Sequence, residues 1–227
     1  ILSIANQKGR FENRTNGFHS SFNPAVSKDG ITVLKKGDTH ISFLPIGADK
    51  VNGVVQKNKI KYKNIFPGIN INYQINGRGL KEEIVINQYI NKNTFTFELK
   101  LKNLKAIQEK ETIFLVNNKD QKIWYISKPF MRDDEGRKSE KVELYLTKKD
   151  DKTYLHIIAD EKYLTDPKTE YPVVIDPTIN TWDVMRDNFI ASNFSDNVYK
   201  SSVNMYTGND EYYYGIMRSL VQFFLPS

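Results

Sequence analysis

The sequence predicts an all-β fold built from antiparallel sheets of the sandwich type. Three observations carry this. Apolar and polar residues alternate at period two, turn residues recur about every dozen positions, and helical periodicity is confined to one turn near residues 161–164. Alternation with one wet face is how antiparallel sheets read, whereas helical spacing would scatter the same side chains around a cylinder.

The elements follow in order. Strands at 31–35 and 40–44 are separated by Lys36-Gly37-Asp38. The stretch 69–75 turns Ile69, Ile71, Tyr73 and Ile75 inward, and Asn76-Gly77-Arg78-Gly79 then reverses it into a strand at 81–86. Glycines there permit the positive φ of a tight hairpin. Phe95, Phe97, Leu99 and Leu101 share one face of 94–101, with Thr94, Thr96, Glu98 and Lys100 on the other. Strands at 112–116 and 122–126 flank Asn117-Asn118-Lys119-Asp120. Asp133-Asp134-Glu135-Gly136 and Lys149-Asp150-Asp151-Lys152 are reversals on either side of the alternating Val142, Leu144 and Leu146. Phe95, Phe97, Phe130, Phe223 and Phe224 are assigned to the core. Tyr171-Pro172-Val173-Val174-Ile175-Asp176-Pro177 is a strand closed by a proline, which cannot donate to a ladder. A domain border is expected there, giving 1–178 and 179–227.

Composition narrows the function. In 227 residues there is no cysteine, which excludes a disulfide framework, a thiolate zinc site and a cysteine nucleophile. No run of about 18 apolar residues exists to span a membrane as a helix. The opening Ile1-Leu2-Ser3-Ile4-Ala5 does not read as a signal peptide, and the numbering is expected to begin inside a longer polypeptide. The net charge of +6 is unevenly placed: residues 1–176 hold 30 basic against 22 acidic side chains, and residues 177–227 hold 3 against 5. The basic residues are 26 lysines and only 7 arginines, and they alternate with apolar residues as in Ile60-Lys61-Tyr62-Lys63. Nucleic-acid readers favour arginine forks, so no nucleic-acid partner is expected. Diffuse positive charge leaves attraction to anionic wall polymer open.

The chemistry-bearing residues are sparse. His19, His40 and His156 have no metal-ligand spacing, and no phosphate loop, dinucleotide fingerprint or nucleophile elbow occurs. No metal and no cofactor is expected. Glu82 and Glu83 are neighbours on a strand and point to opposite faces. The acids at Asp133 and Asp134 raise two alternatives to a plain turn, a calcium loop or a carbohydrate-active enzyme, but the order of a dedicated calcium loop is missing. Aromatic rings are the better route to a site, because an apolar ring complements the C–H face of a sugar. After residue 177 the chain carries Trp182 and five tyrosines, among them Tyr212-Tyr213-Tyr214. Trp182, Tyr212, Tyr213 and Tyr214 are therefore the candidate ligand-binding residues, with ordinary strand packing as the competing role.

Three motifs in fixed order carry a family resemblance. They are Ile60-Lys61-Tyr62-Lys63-Asn64-Ile65-Phe66-Pro67-Gly68-Ile69-Asn70-Ile71-Asn72-Tyr73 with Gly79-Leu80-Lys81-Glu82-Glu83-Ile84-Val85, then Pro129-Phe130-Met131-Arg132-Asp133-Asp134-Glu135-Gly136, then Tyr171-Pro172-Val173-Val174-Ile175-Asp176-Pro177-Thr178. Residues 30–178 thereby resemble a block in the wall-associated, YD-repeat (Rhs-like) proteins of Gram-positive bacteria. The tail is similar to the opening of a DNRLRE domain, a β-sandwich related to a carbohydrate-binding module family, through Asp187-Asn188-Phe189-Ile190-Ala191-Ser192 and Arg218-Ser219-Leu220-Val221-Gln222-Phe223-Phe224-Leu225-Pro226. That second sandwich stops short of its namesake motif.

The resemblance implies a non-enzymatic, extracellular, cell-wall-associated domain of a large secreted protein. Its work would be attachment, display or packaging, in a parent that delivers a toxin or mediates contact between cells. The expected partners are wall polymer or carbohydrate and the rest of the parent polypeptide. Self-association is expected too, because an incomplete sandwich leaves Leu220, Val221 and Phe223 without partners. Two alternatives stay open: a glycoside hydrolase or polysaccharide lyase, and a pure scaffold with no ligand.

Overall fold

The structure is a computed structural model that describes residues 4–7, 9–13, 17–76, 79–182, 187–197 and 206–221. Five strands open the chain: β1 (Ile4–Gln7), β2 (Arg10–Asn13), β3 (His19–Ser27), β4 (Gly30–Lys36) and β5 (Thr39–Pro45). Next come β6 (Gly53–Gln56), β7 (Lys59–Phe66), β8 (Ile69–Ile75) and β9 (Gly79–Ile86). They are followed by β10 (Thr94–Lys102), β11 (Lys105–Glu109), β12 (Thr112–Val116), β13 (Lys122–Ile126), β14 (Met131–Arg132) and β15 (Lys138–Ser139). The series continues with β16 (Val142–Lys149), β17 (Lys152–Ala159), the short helix α1 (Glu161–Thr165), β18 (Val173–Ile175) and β19 (Thr178–Thr181). After Trp182 a second compact unit begins, with β20 (Asp187–Ala191), β21 (Gly208–Asp210) and β22 (Gly215–Val221).

The expected all-β, antiparallel architecture is what the chain adopts. In the first unit β1–β5, β10, β17 and β16 form one sheet in the order β1-β2-β3-β4-β5-β10-β17-β16. The second sheet runs β11-β12-β13-β19-β9-β18-β14-β15, and β8, β7 and β6 branch from β9. Strand β9 is the fork. Its far edge pairs with β8 throughout, while its near edge takes β19 at residues 79–81 and β18 at residues 84–86. Strand β19, which straddles the border expected from sequence between residues 178 and 179, is thus paired inside the first unit.

The two sheets pack face to face, as the alternation requires. Phe18 meets Trp124 edge-on at 5.3 Å, Phe22 meets Tyr73 at 5.8 Å, and Phe66 meets Phe95 at 6.0 Å. Ile69, Ile71, Tyr73 and Ile75 are all fully buried, as are Phe95 and Phe97. Phe130 is a correction to the sequence reading. It is half-buried, with the Lys138 ammonium 5.6 Å from its ring centroid, so it rims the core without filling it. Phe223 and Phe224 lie outside the described residues.

Tyr62 joins the sheets by a polar contact. Its buried hydroxyl donates to Asn23 O at 2.5 Å, with Ile31 O at 3.3 Å. Tyr62→Phe would leave those carbonyls without that donor, and it is expected to cost about 1–2 kcal/mol in chemical denaturation. An unchanged midpoint would show that the hydroxyl bears no weight.

Turn chemistry closes the hairpins. Asp150 and Asp151, between β16 and β17, both have positive φ (49° and 59°), the backbone of a type I′ turn. Helix α1 is the one expected near 161–164. Its cap is Asp160, whose carboxylate accepts from Lys162 N at 3.1 Å.

Candidate functional site

The acidic reversal at residues 133–136 forms a closed ion-pair cluster. Asp133, only 1% exposed, accepts from Arg137 N at 2.8 Å and from Arg137 Nε at 3.2 Å. Arg137 extends onward to Asp166 at 2.9 Å and to the Thr169 hydroxyl, and the Tyr163 hydroxyl donates to Arg137 O at 2.6 Å. Burial alone would raise the Asp133 carboxyl. The backbone and side-chain hydrogen bonds from Arg137 outweigh it and hold the group below the usual range. Both oxygens are committed to one arginine, so this carboxylate stitches the loop to the segment after α1. Among the described residues no group of three or more potential ligand side chains converges as a metal site.

Glu82 and Glu83 point to opposite faces, as strand geometry requires. Glu83 lies outside with Lys81 at 3.1 Å and Arg132 at 3.7 Å. Glu82, 2% exposed, faces inward opposite Tyr73. His19 Nε2 lies 3.4 Å from Glu12 Oε2. His156 is held between the hydroxyls of Thr96 (3.1 Å to Nδ1) and Thr147 (2.8 Å to Nε2), and it stacks on Tyr145 at 4.7 Å.

The aromatic candidates fall into two groups. Trp182 belongs to the first unit, where its N–H donates to Ile123 O at 2.8 Å and continues the β13–β19 pairing. Its ring, 41% exposed, stands edge-on to Phe114 at 5.2 Å and Tyr125 at 5.6 Å. Lys122 Nζ lies 3.5 Å from the Phe114 centroid and 5.3 Å from that of Trp182, while also pairing with Glu109 at 2.8 Å. Three rings and an ammonium thus share the outer face of the larger sheet. Phe114, Tyr125 and Lys122 were missed from sequence because 112–116 reads as one unbroken apolar run, although Phe114 points outward opposite Tyr125.

In the second unit Tyr212, Tyr213 and Tyr214 form the turn between β21 and β22. Asp210 builds it: its carboxylate accepts from the N–H groups of Tyr214 (3.1 Å) and Tyr212 (3.0 Å), which lower its pKa in that order. Asn193 buttresses the turn, donating from N to Tyr214 O at 3.3 Å and from Nδ2 to Tyr213 O at 3.0 Å. Gly215 is required where it stands, because its φ is +68° and a Cβ would lie 2.3 Å from Ser192 Oγ. Tyr213 and Tyr214 meet edge-on at 4.8 Å, Phe194 packs on both, and Tyr206 stacks on Tyr214. Tyr212 stands clear at 97% exposure and Tyr213 is 59% exposed. The three tyrosines therefore divide between packing and display. The side chains of Leu220 and Val221, and all of Phe223, lie outside the described residues.

A groove of ≈ 630 Å³ opens beside β16 and is lined by Gln108, Lys128, Glu140, Glu143 and Tyr145 among others. Gln108 closes one end of it, donating to Leu144 O at 3.0 Å and accepting from Leu146 N at 3.1 Å.

Comparison with known proteins adds what geometry does not. No family profile matches the chain, and no solved structure matches it. Over 202 residues, 86% of the chain, it is 31% identical to the tRNA nuclease WapA of Bacillus subtilis strain 168. Over 159 residues it is 34% identical to the tRNA(Glu)-specific nuclease WapA of Bacillus subtilis subsp. natto. Over 90 residues it is 36% identical to the Wall-associated protein of Geobacillus stearothermophilus, covering 35% of that protein. The chain is homologous to a segment of wall-associated proteins. It spans only 9% of the first WapA relative and 7% of the second. No helix among the described residues is long and apolar enough to cross a membrane.

Proposed function

We propose that this chain is a non-catalytic, extracellular segment of a much larger wall-associated protein, serving attachment, display or packaging of the rest of its polypeptide. One observation carries the reading. The segment is shared, at 30–34% identity, with relatives whose names give different specificities, tRNA3(Ser) in one and tRNA(Glu) in another, and it makes up under a tenth of each. A part common to proteins of different specificity is suited to holding them, not to choosing their substrate. Of the two acids the enzyme alternative would use, Asp133 and Asp134, the first has both carboxylate oxygens bonded to Arg137.

Wall polymer or carbohydrate is the ligand class this reading favours, with Trp182, Tyr212 and Tyr213 as the exposed rings for a sugar face. The segment after Trp182 fits the opening of a DNRLRE-type sandwich, completed by further chain or by a second copy. β20 pairs antiparallel with β22, Asp187 opposite Val221. The YD-repeat character of the parent belongs to the same proposal.

Co-sedimentation with purified Gram-positive walls tests it. The chain is expected in the pellet and is expected to leave tRNA and wall glycan uncut. Trp182→Ala and a Tyr212→Ala/Tyr213→Ala pair are each expected to weaken retention about threefold to tenfold, the scale of one exposed stacking contact. Cleavage of tRNA or glycan by this chain would overturn the non-catalytic reading. A chain that stays in the supernatant would leave packaging as its only role.

A further inference from the structure

Strand register brings together four side chains that are far apart in sequence. On the outer face of the eight-stranded sheet, His19 pairs across to Lys35, Lys35 to His40, and His40 to Lys102, on the consecutive strands β3, β4, β5 and β10. Their inward-facing neighbours Leu34 and Ile41 are fully buried, so the row itself faces solvent. With strands about 4.8 Å apart the row runs about 14 Å across the sheet. Among the described residues neither Lys35 nor Lys102 forms an ion pair. The nearby acids sit at the margins. Glu12 is 3.4 Å from His19, and Asp38 is held at the turn by two 3.1 Å bonds from Asn103. Burial first, and then the charges of Lys35 and Lys102, lower the His40 pKa against the pull of Asp38, so both ammonium groups act on this one position. In the adjacent row Lys100 reaches the Lys28 carbonyl, which adds a third cation to the same face.

We propose that this row is a binding site for a linear phosphodiester polymer of the wall, a polyol phosphate chain laid across β3, β4, β5 and β10. The proposal rests on the wall-attachment reading and names the chemistry of one ligand for it. Lysine and imidazole supply point charges and single donors, which suit a flexible chain of separated phosphates. RNA would call for arginine forks and stacking rings. Arg10, on the neighbouring strand β2, is bound through Nε and Nη2 to Asn23 Oδ1. The rings of Tyr145, Tyr154 and Trp182 are not in the row.

The test is calorimetric titration of the full chain with soluble poly(glycerol phosphate) at low ionic strength, with circular dichroism to verify each variant's fold. K35Q/K102Q is expected to weaken binding about thirtyfold, the scale of two lysines facing an anionic surface. K110Q/K119Q, which removes equal charge from hairpins of the other sheet, is expected to change it less than about threefold. Absence of saturable binding, equal loss in both double variants, or tRNA bound more tightly through the same two lysines would each overturn the proposal. Walls stripped of phosphate polymer separate this result from that of the parent reading. Equal retention on stripped and intact walls leaves attachment standing and removes the row. Polymer binding that depends on Lys35 and Lys102, without retention on walls, does the reverse.

Discussion

Between about pH 5 and pH 9 the protein is expected to lose on the order of 4 kcal/mol of stability through Glu82 alone, and Glu82→Gln is expected to abolish that loss. Burial first, and the charge of Asp176 second, push the Glu82 carboxyl from 4.5 up to about 8, against the opposing pull of the Tyr73 hydroxyl. The unfolded chain releases this proton near its ordinary pKa, while the folded chain keeps it to about pH 8. Across that window the folded state binds more protons, so stability falls as pH rises and levels off above it. Other groups titrate too, and His156, lowered by burial, works in the opposite direction. The difference between wild type and Glu82→Gln isolates the carboxyl. Urea denaturation at the two pH values should show the variant less stable relative to wild type at the acid end than at the alkaline end. Parallel pH profiles would mean that Glu82 ionises normally.

Gly79→Ala is expected to cost about 3 kcal/mol, which is large for the addition of one methyl group. The reason is steric and local. A Cβ at Gly79 would lie 2.0 Å from Ile179 O and 2.8 Å from Asn180 Cα, both backbone atoms of β19 that cannot swing aside. The same glycine donates its N–H to Asn76 Oδ1 at 2.7 Å, which fixes the hairpin into β9. Relief would require β19 to leave the first three residues of β9. Trp124 pairs directly with Thr181 at the far edge of β19, so tryptophan fluorescence reports the displacement along with the denaturation midpoint. A change under about 0.5 kcal/mol would show that the two strands can separate without cost.

Much of the fold was legible because burial obeys alternation where it is strict. Thr94–Lys102 and Ile69–Ile75 were readable down to the side chains that face the core. The polar opening was not. His19–Ser27 contains Ser20, Ser21 and Asn23, all buried, and Pro24, so neither its hydropathy nor its composition reads as a strand. Trp182 follows the change in charge and texture after Pro177 and so looked like part of the tail, yet one backbone bond to Ile123 ties it to the first unit. Acids at residues 133–136 resemble a cation loop until Arg137, four positions from Asp133, is seen to fold back. The basic row is invisible in one dimension, since positions 19, 35, 40 and 102 become neighbours only through three strand registers. Legibility therefore ended where long-range pairing began.

Strand β19 lies between β13 and β9 and runs antiparallel to both. Tension pulling on the segment that follows Trp182 reaches the first unit along the axis of this strand. Bonds on both flanks must then slip together, a shearing geometry that shares the load instead of peeling it bond by bond. For a chain held at one end and pulled at the other, β19 would be a clamp that its two neighbours share.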